Sequence, residues 1–97
     1  MAAFDEYSNR LGARIRTLRK RAGLSLREFG MMVGVHHNQI LSIEQGESNP
    51  SLRTLFRIAG GLGLPLRDLL PDDEDKEGAF YWFSPDEKPD DQTDRKN

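Results

Sequence analysis

Between Leu11 and Leu70 the apolar residues recur at helical spacing, and no stretch before residue 71 alternates with the period of a strand. That pattern restricts the body of the chain to helices. Leu11, Ile15, Leu18 and Ala22 fall on one face of a first helix, which Ser8 or Asn9 is placed to cap and Gly23 to end. Ser25 and Glu28 make an S-x-x-E capping box, with Leu24 and Phe29 at the two staple positions around it. The second helix therefore starts there, and Gly34 stops it about two turns later. A third helix is expected from His36 to Gln45, with Ile40 and Ile43 inward and Gly46 at its end. The loop Glu47 to Ser51 delivers Pro50 to the start of a fourth helix. Its buried stripe is expected to be Leu52, Leu55, Phe56, Ala59 and Leu62, weakened by Gly60-Gly61 at about 1 kcal/mol per glycine. Pro65 opens a fifth, short helix carrying Leu66, Leu69 and Leu70. The expectation is a five-helix body over residues 8–70.

Charge divides the chain at the same place. From Ser8 to Leu70 there are ten basic and four acidic residues, a balance of +6, and from Pro71 to Asn97 four basic and ten acidic, a balance of −6. A basic body followed by an acidic segment points to a polyanion-binding surface on the body. With no cysteine, a disulfide scaffold, a thiolate zinc site and a cysteine nucleophile are excluded. Met1 to Asn9 lacks the apolar core of a secretory signal, and no run approaches the roughly 20 apolar residues that span a bilayer. A cytoplasmic protein with no membrane segment is expected.

Two short helices joined by a glycine-containing turn, inside a basic helical body, make a helix-turn-helix. The second helix of such a pair enters a major groove about 12 Å wide while the first crosses the phosphate backbone. Gly30 suits a close approach of the two helices and Gly34 suits the turn. With Ile40 and Ile43 inward, the opposite face of the third helix presents His37, Asn38, Leu41, Ser42 and Gln45. Asn38 can make two bonds to adenine, His37 can donate to guanine, and Leu41 can touch a thymine methyl. Gln45, in the last turn, is assigned to phosphate.

The segments Leu24-Ser25-Leu26-Arg27-Glu28-Phe29, Gly34-Val35, Ile40-Leu41-Ser42-Ile43-Glu44-Gln45-Gly46 and Asn49-Pro50-Ser51-Leu52 resemble the Cro/C1-type (Xre) helix-turn-helix family. The resemblance runs over roughly 60 residues in order, the most specific piece being I-x-x-I-E-x-G-x-x-N-P-S. It implies a lambda-repressor-like domain that binds double-stranded operator DNA as a homodimer, acting as a transcriptional regulator and most often a repressor. It places His37, Asn38 and Ser42 where family members read base edges, and Arg19 and Glu44 where a structural ion pair joins helices 1 and 3. Backbone contacts are expected from Arg10, Arg14, Lys20, Ser25, Arg27, His36 and Asn49, with Arg53 a further phosphate candidate. Ser48 and Ser51 can also reach phosphates through neutral hydrogen bonds. Leu26 stands where the family often has Gln, and His36 where it usually has a Ser or Thr cap, which implies a weaker cap. Glu47 brings negative charge to a loop that is often basic, which implies modest affinity.

Competing functions find little purchase. His36 and His37, taken as neighbours on one helix, diverge by about 100° and are not expected to share a metal. No G-x-S-x-G elbow or phosphate-cradling glycine loop is present, so neither an enzyme nor a cofactor is expected. The segment 71–97 carries three prolines and one unbroken aromatic block, Phe80-Tyr81-Trp82-Phe83, in a stretch otherwise too polar to fold alone. Three readings of it stay open: a partly disordered acidic tail, docking of the block onto the body, or a contact with another subunit or protein. In the last case the chain acts as an antitoxin or similar interaction module. The dimer surface expected from the resemblance includes Leu64, Pro65 and Leu66, alone or with Phe80, Tyr81, Trp82 and Phe83.

Overall fold

The computed structural model describes residues 2–72, which form five helices and, among the described residues, no strand. In order they are α1 (Ala2–Arg21), α2 (Leu26–Val33), α3 (His37–Glu44), α4 (Leu52–Gly61) and α5 (Leu66–Leu69). The acidic tail and its aromatic block lie outside the described residues, as do the expectations placed on them.

The helix ends follow local chemistry. Ser25 Oγ accepts from Glu28 N at 3.0 Å while Ser25 N donates to Glu28 Oε1 at 2.9 Å, which closes the capping box that starts α2. Ser51 Oγ caps α4 by accepting from Thr54 N at 3.1 Å. Pro50 thus precedes the cap rather than opening the helix. Three helices finish alike. Leu24 N donates to Arg19 O, Glu47 N to Ser42 O and Leu64 N to Ala59 O, each closing a Schellman turn around Gly23, Gly46 or Gly63.

One core holds the helices together. Leu11 and Ile15 of α1, Phe29 and Val33 of α2, Val35 of the turn, Ile40 and Ile43 of α3, Ile58 and Ala59 of α4, and Leu69 of α5 are all buried. Leu24, Leu26 and Leu55 pack against its edge, so Leu26 braces the core where the family often carries a polar residue. In this order α3 rests on both α1 and α2, while α5 closes the far side against α1 and α4.

Three expectations need correction. The first helix does not begin at Ser8 or Asn9: both lie inside α1, because nothing in Ala2–Tyr7 breaks a helix and Asp5 favours its positive first turn. At the other end Ala22 is exposed beyond the last helical residue. On α4, Leu52 and Phe56 are 70% and 67% exposed, and Ile58, which the expected stripe omitted, is fully buried. The apolar residues of α4 spread over an arc of about 160°, nearly half its circumference. The packing of α2 and α5 turns the Ile58 edge inward and leaves the Leu52–Phe56 edge outside.

Candidate nucleic-acid interface

The recognition element of a helix-turn-helix is useful only if its second helix is held at a fixed angle. Here α3 is held at three places. At its start, α2 passes so close that a Cβ on Gly30 would lie 2.5 Å from Val35 O and 3.2 Å from His37 N. Glycine is the residue that permits this approach. The carbonyl of Gly30 also accepts from both Gly34 N and Val35 N, at 2.8 and 3.0 Å, and Gly34 takes the left-handed conformation (φ 73°) that the turn requires.

At its other end α3 lies directly on α1. A Cβ on Gly12 would stand 2.7 Å from the carbonyl carbon of Glu44 and would collide with the carbonyl oxygen of Ile43. Gly12 is therefore a seat for the last turn of α3, and sequence reading missed it. A glycine inside a helix, at a position flanked by core residues Leu11 and Ile15, is the only trace it leaves in the sequence.

The third hold is electrostatic. Arg19 Nε donates to Glu44 Oε2 at 2.7 Å and Nη2 donates to Oε1 at 3.0 Å, a two-bond pair between α1 and α3. Arg19 Nη1 donates to Leu24 O at 2.7 Å, so the same guanidinium ties down the chain entering α2. Only 6% of Arg19 and 7% of Glu44 is exposed. The hydrogen bond to Glu44 lifts the Arg19 pKa above its ordinary value despite burial.

Held this way, α3 turns Ile40, Ile43 and Glu44 inward. Asn38 and Leu41 are exposed, His37 and Ser42 half-buried, and Gln45 exposed just past the helix end. Gln39 is also exposed in the first turn, a position passed over in the sequence because it lies about 90° from the centre of the outward face. His36 stands at the cap position expected of it: its Nδ1 accepts from Asn38 N at 3.1 Å, which requires that nitrogen to be unprotonated. The expected divergence of His36 from His37 does not hold. Because His36 is extended rather than helical, its ring does not diverge from that of His37. The two stack with centroids 4.5 Å apart and planes 23° from parallel. The pKa of His37 lies below the ordinary 6.5, chiefly through lost solvation and then through Arg27 and His36 nearby. At neutral pH its ring is uncharged and offers one donor and one acceptor.

The backbone candidates separate into two groups. Lys20, Arg27, Ser25, Gln45 and Asn49 are exposed. Arg10 and Arg14 instead reach across to the end of the body. Arg10 Nη2 donates to Asp72 O at 2.6 Å, and Arg14 donates to Asp68 O from Nε at 3.1 Å and from Nη2 at 2.7 Å. Tyr7 adds a bond from its hydroxyl to Pro71 O at 3.2 Å. These donors clasp α5 and the residues that follow it. Of the loop serines, Ser51 Oγ caps α4, and Ser48 Oγ is buried with no hydrogen-bond partner among the described residues. At the opposite turn Pro65 is exposed while Leu64 and Leu66 are half-buried.

Comparison with known proteins agrees with this geometry. The helix-turn-helix family HTH_3 matches residues 15–69. An HTH-type transcriptional regulator of Archaeoglobus fulgidus is 38% identical over 63 residues, covering 65% of this chain and 90% of that protein. Control protein C.MunI of a Mycoplasma species is 36% identical over 71 residues, covering 72% of this chain and 96% of the other. Among solved structures, the restriction-modification controller protein C.AhdI of Aeromonas hydrophila superposes with a TM-score of 0.63 at 28% identity, over 65% of this chain and 96% of that one. No described helix is long and apolar enough to cross a membrane. The chain belongs to the HTH_3 (Cro/C1-type) family of helix-turn-helix DNA-binding transcriptional regulators.

Proposed function

We propose that the chain represses transcription as a homodimer, placing one α3 in each of two successive major grooves of an imperfect palindrome about 34 Å apart. The observation that carries this reading is the mounting of α3. Its inner side is fixed by Gly12, Gly30 and the Arg19–Glu44 pair, and its outer side is left polar and accessible. His37, Asn38, Leu41 and Ser42 are assigned to base edges, with Gln39 added to them. Lys20, Ser25, Arg27, His36, Gln45, Asn49 and Arg53 are assigned to the backbone. Arg10 and Arg14 leave that set, because their guanidinium groups already serve carbonyls at the end of the body. The dimer contact is assigned to Leu64, Pro65 and Leu66 at the α4–α5 turn. The names of the relatives, transcriptional regulators and control proteins, support the same role.

Selection of bound duplexes from a random pool at about 0.15 M salt tests it, since that salt suppresses unspecific charge attraction. An enriched palindrome with half-sites one helical turn apart is the expected result. Enrichment of a single half-site would remove the dimer. No enrichment by the folded protein would remove sequence-specific binding.

A further inference from the structure

One exposed apolar face of the core-forming helices has no role in the interface above. Leu52 and Phe56 are one turn apart on α4, 70% and 67% exposed, and are bordered by exposed Arg53 and Arg57. Gly60 continues the same row, and a Cβ there would meet nothing within 4 Å. A large aromatic and a leucine side by side form a small apolar patch that would gain by being covered. We propose that this face of α4 is the docking site of the chain's own Phe80-Tyr81-Trp82-Phe83 block.

Charge selects this occupant. Asp72, Asp73, Glu74, Asp75 and Glu77 precede the block and Asp86 and Glu87 follow it, so an apolar core with acidic flanks meets an apolar face with a cationic border. Phe4 adjoins Asp5 and Glu6, and Met31 lies one turn from both Arg27 and Glu28, so neither has a purely cationic border. A second copy fits less well. In an antiparallel two-fold pairing of this face, the Arg53 and Arg57 pairs of both copies would lie along one rim. Leu52 and Phe56 together expose on the order of 250 Å², well short of the roughly 800 Å² per partner that a stable dimer buries. A tethered segment needs far less area, because its effective concentration is high. The eight residues from Asp72 to Phe80 give the tether a span of up to about 26–29 Å. Docking would also lay acidic residues against Arg53 and weaken DNA binding at low salt. That consequence rests on the DNA-binding reading, whereas the docking does not.

Trp82 is the sole tryptophan and sits in the block, so its emission in the full chain reports the contact without any DNA. The expected result is emission blue-shifted from that of the urea-unfolded chain. Leu52→Glu and Phe56→Glu should each return it to the unfolded position while the helical circular dichroism stays unchanged. Met31→Glu, the control, should leave the blue shift intact, and the double change Arg53→Glu/Arg57→Glu should reduce it. Emission already at the unfolded position in the parent chain would overturn the proposal, and so would a blue shift that survives Phe56→Glu. A blue shift lost on dilution would overturn it in favour of a second copy as the occupant.

Discussion

Removing one partner of the Arg19–Glu44 pair should cost far more than removing both. In Glu44→Leu the guanidinium keeps only its bond to Leu24 O and sits in a site where 6% of the residue is exposed. In Arg19→Met the carboxylate of Glu44 is left with no cation in a site equally dry. An uncompensated buried charge of this kind costs about 3–5 kcal/mol. The Glu44→Leu loss should fall at the lower end, because the long stem of Arg19 lets its head slide toward water. A domain of roughly 70 residues has only about 3.5–10 kcal/mol of stability in all, so either single variant should be near the edge of folding. The double variant Arg19→Met/Glu44→Leu removes both charges and fills the space with apolar atoms. It should be within about 1 kcal/mol of the parent or more stable than it.

Urea unfolding followed by circular dichroism at low temperature, where stability is near its maximum, closes the cycle. The expected coupling energy is about 5 kcal/mol or more, well above the range of exposed pairs. Two single losses below 1 kcal/mol that add to the double loss would refute the reasoning. They would mean that water reaches the pair. DNA selection on the double variant separates stability from orientation. A stable protein with blurred selectivity is expected, since the pair is one of three holds on α3.

Gly12→Ala should lower stability by about 1–2 kcal/mol, the helix-propensity gain being outweighed by a Cβ driven into backbone carbonyls that cannot rotate away. A thermal melt checks it, each 1 kcal/mol moving the midpoint about 4–8 °C in a domain of this size; an unchanged or raised midpoint would contradict the seat described for α3. Asn38→Ala should relax base preference at one position of the half-site by about 1–3 kcal/mol, read from competition against the four bases there. The ring protons of His37, followed by NMR, should titrate below 6.5 and move upward in Arg27→Ala. Because its folded pKa is depressed, the neutral ring stabilises the fold fully above pH 6.5, and that contribution is lost as the pH falls through the lowered value. A dimer using Lys20, Arg27 and Arg53 on each copy neutralises six phosphates, for a slope of log affinity against log salt of about −5, whereas adding Arg10 and Arg14 would give about −9.

Where the sequence carried local chemistry, it was legible. The capping box at Ser25 and Glu28, the turn at Gly34 and the inward pair Ile40 and Ile43 each depend on residues within one or two turns of each other. What failed depended on distant partners. Spacing shows that α4 has an apolar side but not its phase, since Leu52, Leu55, Phe56, Ile58, Ala59 and Leu62 cover so wide an arc that α2 and α5 must choose which edge to bury. The start of α1 was misplaced because Ser8 and Asn9 are good caps wherever a helix begins, and here the helix had already begun. Arg10 and Arg14 carry the same charge as Lys20 and Arg27, and only the placement of Asp68 in α5 and of Asp72 beyond it shows that their guanidinium groups have carbonyl partners in the body. Gly12 left only the faint trace of a glycine inside a helix, because a close helix crossing is a property of two segments 31 residues apart, Gly12 and Ile43.

The mounting of α3 and its outward face are largely separate sets of residues, and this explains how such a domain can change what it reads without refolding. Ile40, Ile43 and Glu44 are committed inward, and the two glycine seats act on backbone atoms, so Asn38, Gln39 and Leu41 can vary with little cost to the fold. His36 is the exception. Its ring caps the helix through Nδ1 and stacks on His37, so one side chain both holds the first turn and sets the pose of a residue assigned to base reading. A serine there would cap as well or better, yet it would release the His37 ring. The histidine therefore exchanges some capping strength for a fixed aromatic neighbour, at the one point where holding the helix and reading with it are coupled.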